Sequence, residues 1–440
     1  MYELMDELYP ITRSITGEGV RKTLKIIQNF IDLKIHEVPS GTKVFDWTVP
    51  QEWNIRDAYI MNNKNEKIID FRKSNLHVAQ YSKKIKKRIK LDELKKHIFT
   101  LPDQPNAIPY VTSFYNENWG FCMSNNQFQK LNDDEYIVNI ESEHKNGSLT
   151  YGEFVIEGES KEEILISTYV CHPSLCNDNL SGPVLATFLA EYLSKQKLHY
   201  SIRFLFIPET IGAITWLALN EDKIKNIFHG LVVTCVGDSG ISTYKKSRDG
   251  NNIIDEVVIE VLKESGKPYK IMDFWPSGSD ERQYCSPAFN LPVGSLMRTP
   301  YDMFEEYHTS EDNLSFMNKE CLADSFFKYL SVIQKLEGNF NYVKPEKITL
   351  ENKKSVKNNP VFLNLFPKCE PRLGKRKIYE EIGGVKNQDS LKQKKAIQWI
   401  LNLSDGKHSL RDIQERSGLE FDMLFDMANL LENKKLLSHV

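Results

Sequence analysis

A chain of 440 residues, 40% hydrophobic and 27% charged, has enough apolar content for two or three buried cores, which excludes wholesale disorder. Lys+Arg 57 against Asp+Glu 60 leaves a formal charge of −3, so no global field draws it to nucleic acid or anionic lipid. No apolar run reaches the roughly 18 residues of a spanning helix, "MYELMDELYP" lacks a basic n-region, and seven cysteines are too sparse for a disulfide framework; the expectation is a cytoplasmic protein with reduced thiols and no membrane contact.

Taken in chain order, "EGVRKTLKIIQNFI" has the apolar spacing of an amphipathic helix. From about Ser40 to Asn132 the composition shifts toward Trp, Asn and Lys, with alternating runs such as "DAYIMNN" and "KIIDFRK". This predicts an inserted, mostly β domain over 40–132. Its basic run "KKIKKRIK", Lys83 to Lys90, reads as a solvated loop or helix face. Trp47 and Trp53 have two readings, as packed core or as rings that stack on a sugar or cover a cleft. "YIVNIESE" then returns the chain to a core formed by 1–39 and 133–342.

Within that core "ILISTYV" and "SIRFLFI" are short, continuous and β-branched or aromatic, as in strands covered on both faces. "SGPVLATFLAEYLSK" between them is helix-like, with Ser181 and Pro183 at its start. "TIGAITWLALNE", "GLVVTC", "NNIIDEVVIEVLKESG", "PVGSLMR" and "SEDNLSFMNKECLADSFFKYLSVIQKL", a long closing helix with Ser310 expected near its N-cap, continue the alternation. The fold class is therefore α/β, a mixed central sheet with helices on both faces. "VKPEKITLENKKSVKNNP" is polar and lysine-rich and opens a linker over 343–369. Three amphipathic segments follow, "KKAIQWILNL", "SLRDIQERSG" and "EFDMLFDMANLLENKKLL", with the spacing of a winged or simple helix-turn-helix over 370–440. Glu420, Asp422 and Asp426 lead the third and are ill suited to face phosphates, so nucleic acid is not expected. A protein partner, or packing against the core, is the expectation instead.

Metal-capable residues fall directly after predicted strands, where open α/β sheets hold ligands. His172 and Asp178 follow "ILISTYV", Glu209 follows "SIRFLFI", Asp238 follows "GLVVTC", and His308 follows "PVGSLMR" after a longer loop. Imidazole and carboxylate suit zinc, with a further carboxylate available to activate water. Cys171 and Cys176 flank His172, but a zinc knuckle needs a second Cys or His pair, which does not follow at knuckle spacing. Cys171 reads as a packed neighbour.

"CHPSLCNDNLSG", "RFLFIPETIG", "GSDERQYCSPAFNLPVGSL" and "YHTSEDNL" resemble, in order and spacing, the motif series of zinc-dependent exopeptidases of the aminopeptidase and glutamate carboxypeptidase type. With its insert and tail, the whole chain resembles a bacterial aminopeptidase-like family with an inserted domain of unknown function and links to surface polysaccharide synthesis. The resemblance implies that His172 and His308 are metal ligands, that Asp178 is the carboxylate bridging two metals, and that Glu209 is the general base. It places Asp280 near the substrate pocket, where its other reading is a loop cap. Three positions depart from the pattern: Thr210 where a second ligand Glu is usual, Thr234 where Asp is usual, and Ser174 where an Asp usually supports the first histidine. Asp238, four residues past Thr234, is a candidate replacement ligand. Shifted by one residue, Glu209 would itself be a ligand.

With two metal ligands missing, His172, Asp178 and His308 remain, the three protein ligands of a catalytic zinc with its fourth position open. The leading expectation is a hydrolase with one zinc per chain, acting on an amide or peptide bond of a small peptide-like or amino-sugar substrate. The rivals are a scaffold with a relic metal site and a ligand-sensing regulator.

Overall fold

The computed structural model describes residues 1–132, 134–338, 351–356, 358–378 and 388–440. A third of the expected linker, 343–350 and residue 357, lies outside the described residues. The core sheet has eight strands: β1 (Lys34–Pro39), β2 (Ser148–Ile156), β3 (Glu163–Tyr169), β4 (Ser201–Ile207), β5 (Ile227–Val232), β6 (Ser242–Lys245), β7 (Tyr269–Met272) and β8 (Val293–Met297). They lie in the order β1-β2-β4-β3-β5-β8-β6-β7.

All seven residues of β3 and of β4 are buried, which is why both segments are continuous in apolar character. Their side chains alternate between two cores. Ile164, Ile166, Phe204 and Phe206 face a layer that includes α1 (Glu18–Ile27), α2 (Ser181–Leu193), α4 (Ile253–Glu264) and α5 (Lys319–Gly338). Leu165, Leu205 and Ile207 face α3 (Ile211–Leu219), whose Ile214, Trp216 and Leu217 fill the other side. The mixed sheet with helices on both faces is thus present.

Strands β3, β4, β5 and β8 run parallel. The chain leaves β3 for β4 on one side and then crosses to β5 on the other. This reversal opens a crevice at the carboxyl ends of β3, β4 and β5. A close approach of α2 to those ends demands Gly182, since a Cβ there would lie 2.3 Å from Val233 O and 2.5 Å from Thr168 Oγ1.

The insert holds a four-stranded antiparallel sheet in the order Lys67–Asp70, Glu52–Met61, Glu135–Lys145, Ile85–Lys90. Two expectations change here. "YIVNIESE", read as a core strand, belongs to the insert sheet, because its alternating Tyr136, Val138 and Ile140 complete the insert's own core rather than the central one. The insert therefore extends past 132. The run Lys83–Lys90 is neither loop nor helix face over most of its length but an edge strand, with Lys86, Lys87, Arg88 and Lys90 exposed and Ile89 buried. Charges of this kind block edge-to-edge pairing.

The C-terminal unit has α6 (Gln388–Leu403), α7 (Leu410–Ser417) and α8 (Phe421–Asn433), with a small sheet of Asp405–Ser409, Val361–Asn364 and Leu437–His439. The expected start at 370 is too late, because Val361–Asn364 is the sheet's central strand. Leu424, Ala428 and Leu431 turn α8 inward, while Asp422 and Asp426 are exposed. The unit is docked on the core: Arg248 donates to Asn402 Oδ1 at 2.9 Å and to Asp405 Oδ2 at 3.1 Å, and Asn402 Nδ2 donates to Cys285 O at 3.3 Å. Among the described residues no helix is long and apolar enough to cross a membrane.

Candidate metal centre

β3 ends at Tyr169, and three residues later the chain is pinned from below by Arg13, which is 1% exposed. Its Nε donates to His172 O at 2.7 Å, its Nη2 to Pro173 O at 2.8 Å and its Nη1 to Leu8 O at 2.5 Å. One planar fork ties three carbonyls together, and for His172 O it supplies the donor that Ile11 N–H gives Leu8 O and Leu175 N–H gives Pro173 O, which fixes the path of the His172 loop. Asp312, from "YHTSEDNL", fixes the next turn. Its Oδ1 accepts from Asn177 N at 2.6 Å and its Oδ2 from Asp178 N at 2.9 Å. The same loop therefore sets both the Asp178 backbone and His308.

His308 Nε2 lies 2.9 Å and His172 Nε2 3.7 Å from Asp178 Oδ2. Among the described residues these three form the cluster whose ligand atoms lie within 4.8 Å of one another. Asp178 Oδ2 and His308 Nε2 are buried, yet neither completes a hydrogen bond among the described residues. Buried polar atoms are rarely left so, and two imidazoles converging with one carboxylate oxygen are the donor set of a zinc site. The residues fit the metal. Burial holds the His172 imidazole down at about 4, so it is neutral with a lone pair to give. Asp178 is held at about 2, since burial, which pushes it up, is outweighed by His172, His308 and the Tyr169 hydroxyl.

The other carboxylate oxygen is already taken. The Tyr169 hydroxyl donates to Asp178 Oδ1 and lies 2.6 Å from Thr234 Oγ1. Thr210, the other departure from the motif pattern, accepts from Arg282 Nη2 at 3.0 Å. Ser174 does not support His172 but donates to Tyr9 O at 2.7 Å. Thr210 (φ 63°) and His308 (φ 55°) both hold left-handed backbone, a cost that non-glycine residues concentrate at such sites.

Glu209 Oε2 lies 3.9 Å from His172 Nε2, and Glu209 N donates to Cys171 Sγ at 3.2 Å. Removal from water, then Asp280 and Asp178, pushes the Glu209 carboxyl well above the ordinary range. Cys171 is a buried neighbour whose thiol burial also pushes up, so it stays a protonated packing group. Asp280 is fully buried, accepts from Thr210 N at 2.6 Å, and is lifted by burial to about 7. It caps the loop behind Glu209. Asp238 is not brought to the cluster: its oxygens accept from Asn177 Nδ2 (3.0 Å), Thr299 N (3.1 Å), Thr299 Oγ1 (2.7 Å) and Gly240 N (2.6 Å), leaving it no role as a ligand.

A cavity of about 620 Å³ opens on this cluster. His172, Glu209 and His308 line one part, Tyr110 and Tyr115 of the insert another, and Arg372 a third. Tyr110 packs its ring 5.1 Å from His172 and 5.0 Å from His308, and its N–H donates to His308 O at 2.8 Å. Trp47 and Trp53 of the insert divide their roles. Trp53 is core, stacked on Tyr81 and donating to Ser82 O at 3.0 Å, whereas Trp47 walls the cavity and donates to Glu370 O at 2.6 Å. Sequence reasoning missed Arg13, Tyr110, Asp312 and Arg372. Of these only Asp312 stood inside a recognised motif.

Residues 2–339 match the model of a domain of unknown function, DUF4910, and residues 360–439 match a winged helix-turn-helix. A Clostridium acetobutylicum protein named as a polysaccharide biosynthesis protein with aminopeptidase-like domain is 55% identical over all of this chain and 96% of its own length. A crystal structure described as a peptidase from Clostridium acetobutylicum superposes with TM-score 0.76 at 54% identity, covering 100% of this chain and 96% of that one. A zinc aminopeptidase from Bacillus subtilis shares the fold at TM-score 0.57 and 12% identity, over 76% of this chain and 93% of that one. The chain belongs to the DUF4910 family, built on the α/β fold of the zinc aminopeptidases with a winged helix-turn-helix at its C-terminal side.

Proposed function

We propose that this protein is a hydrolase with one zinc per chain that cleaves an amide bond in a small substrate. The observation that carries the reading is the convergence of His172, Asp178 and His308 on a common point, with two buried ligand atoms lacking hydrogen bonds and Glu209 alongside. Zinc, when held there, acidifies water and polarises a carbonyl. Glu209, whose Oε2 lies 3.9 Å from His172 Nε2, takes the proton of the attacking water and returns it to the leaving nitrogen. Tyr110 holds both imidazoles in place, and the insert and the 370–376 segment wall the reaction off from bulk water.

A single zinc is favoured over a pair by the Tyr169 hydroxyl on Asp178 Oδ1 and by the Arg282 guanidinium at Thr210, since each occupies a place that a second cation's ligand would need. The substrate class is drawn from the relative's polysaccharide name: an amide on an amino sugar or a peptide-linked sugar. The test is metal content by mass spectrometry on protein purified without chelator, beside His172→Ala and His308→Ala. About one zinc per chain, lost in both variants, is the expected result. No metal after zinc addition would favour a scaffold.

A further inference from the structure

We infer that residues 369–376 of the C-terminal unit complete the substrate cavity, and that Arg372 among them binds a carboxylate carried by the non-reacting end of the substrate. The inference rests on the amide-hydrolase reading for its reaction but not for its geometry. The segment is clamped from both sides. Cys369 lies within the core cluster and its N–H donates to Ser286 Oγ at 3.0 Å, while Glu370 N donates to Gln283 Oε1 at 2.9 Å. On the insert side Asp46 accepts from Arg372 N at 2.8 Å, from Lys375 Nζ at 2.5 Å and from Arg376 Nη1 at 2.5 Å.

Two of the three Arg and Lys side chains along the cavity are paired among the described residues. Lys375 is paired with Asp46, and Arg282 lies 3.2 Å from Glu370. Arg372 is half-buried, and its guanidinium lies 4.3 Å over the ring of Tyr115. Among the described residues it has no carboxylate partner, since its contact with Asp46 is through the backbone. The Tyr115 hydroxyl beside it is buried and lacks a hydrogen-bond partner among the described residues. A guanidinium whose carbon sits over an aromatic ring keeps N–H donors free, and a pair of them matches an oxyanion in a bidentate fork. One uncompensated cation and one neutral hydroxyl balance a monoanion better than a dianion, which favours a carboxylate over a phosphate. Because the same cavity holds Glu209 and the metal cluster, an amide bound at one end would present its carboxylate at the other.

The test measures binding of N-acetylglycine, N-benzoylglycine and N-benzoylalanine, each beside its carboxamide, and of phenyl phosphate, by ligand-detected NMR on the purified full chain. Wild type is expected to prefer acids over carboxamides at least five-fold, with phenyl phosphate weaker. Arg372→Gln should abolish that preference at unchanged Tm and zinc content, and Arg372→Lys should keep part of it. Equal binding of acid and carboxamide, no binding across the series, a preference that survives Arg372→Gln, or a preference for phenyl phosphate would each overturn the proposal. Discrimination without hydrolysis of any amide in the zinc-loaded protein would leave the carboxylate site standing and remove the hydrolase reading.

Discussion

The hydroxyl of Tyr169 donates to Asp178 Oδ1 and sits 2.6 Å from Thr234 Oγ1, so the phenol fills the space between a carboxylate and the residue that stands where the motif pattern has an aspartate. A tyrosine buried this deeply, its hydroxyl pushed well above 10 chiefly by burial, stays protonated and blocks a cation there. Wild type should therefore hold close to one zinc per chain even in excess zinc. The double variant Tyr169→Phe, Thr234→Asp should move toward two, as read by equilibrium dialysis. Two zinc ions in wild type would contradict the blocking role.

Glu209→Gln keeps the shape of the cavity but cannot accept a proton. Amide hydrolysis should fall by about 10²–10⁴-fold while zinc content is unchanged. Full activity in this variant would remove Glu209 as the base.

Arg13 acts on the site only through backbone. Arg13→Met leaves the His172 carbonyl buried without its donor, while Leu8 O and Pro173 O keep the Ile11 and Leu175 N–H groups, at a cost of about 1–3 kcal/mol in a denaturant melt. Its zinc affinity should drop as well, because the His172 loop loses its anchor. An unchanged melt would show that the loop is held by other contacts.

Zinc binding to the native cluster alone should raise Tm. At zinc about 1,000 times its Kd the gain is about 4 kcal/mol, readable as a shift of several degrees on chelation. His308→Ala should abolish the zinc-dependent shift. A shift that survives in this variant would place the ion elsewhere.

Glu52, 1% exposed, is bound by Arg21 at 2.6 Å and 3.0 Å, and that pair chiefly holds its carboxyl at about 2. A depressed folded pKa gives stability that is present above the unfolded value of about 4.3 and is lost as pH falls toward 2. Acid unfolding should therefore steepen between about pH 4 and pH 2. Glu52→Gln should flatten that limb and cost about 2–3 kcal/mol at pH 7, where the Arg21 charge loses its buried partner. An identical acid limb in the variant would show that other carboxylates set it.

The sequence by itself determined the four parallel strands of the core sheet, because two-faced burial forces continuous apolar runs, and it put metal-capable side chains in the loops after them; Lys34–Pro39, Ser148–Ile156, Ser242–Lys245 and Tyr269–Met272 were not read from it. His172, Asp178, Glu209 and His308 were legible as candidates for that reason, and the resemblance of their motifs separated them from Asp238. The insert boundary was not, since the alternation of Tyr136, Val138 and Ile140 states that one face is buried but not against which core. Nor was the role of Asp238, whose position after a strand is that of a ligand until four hydrogen-bond donors are found around it. Only the tertiary structure brought Arg13, Tyr110 and Arg372 to one site. Their partners lie far along the chain, 159 residues in the case of Arg13 and His172, and no local period or spacing encodes such a contact.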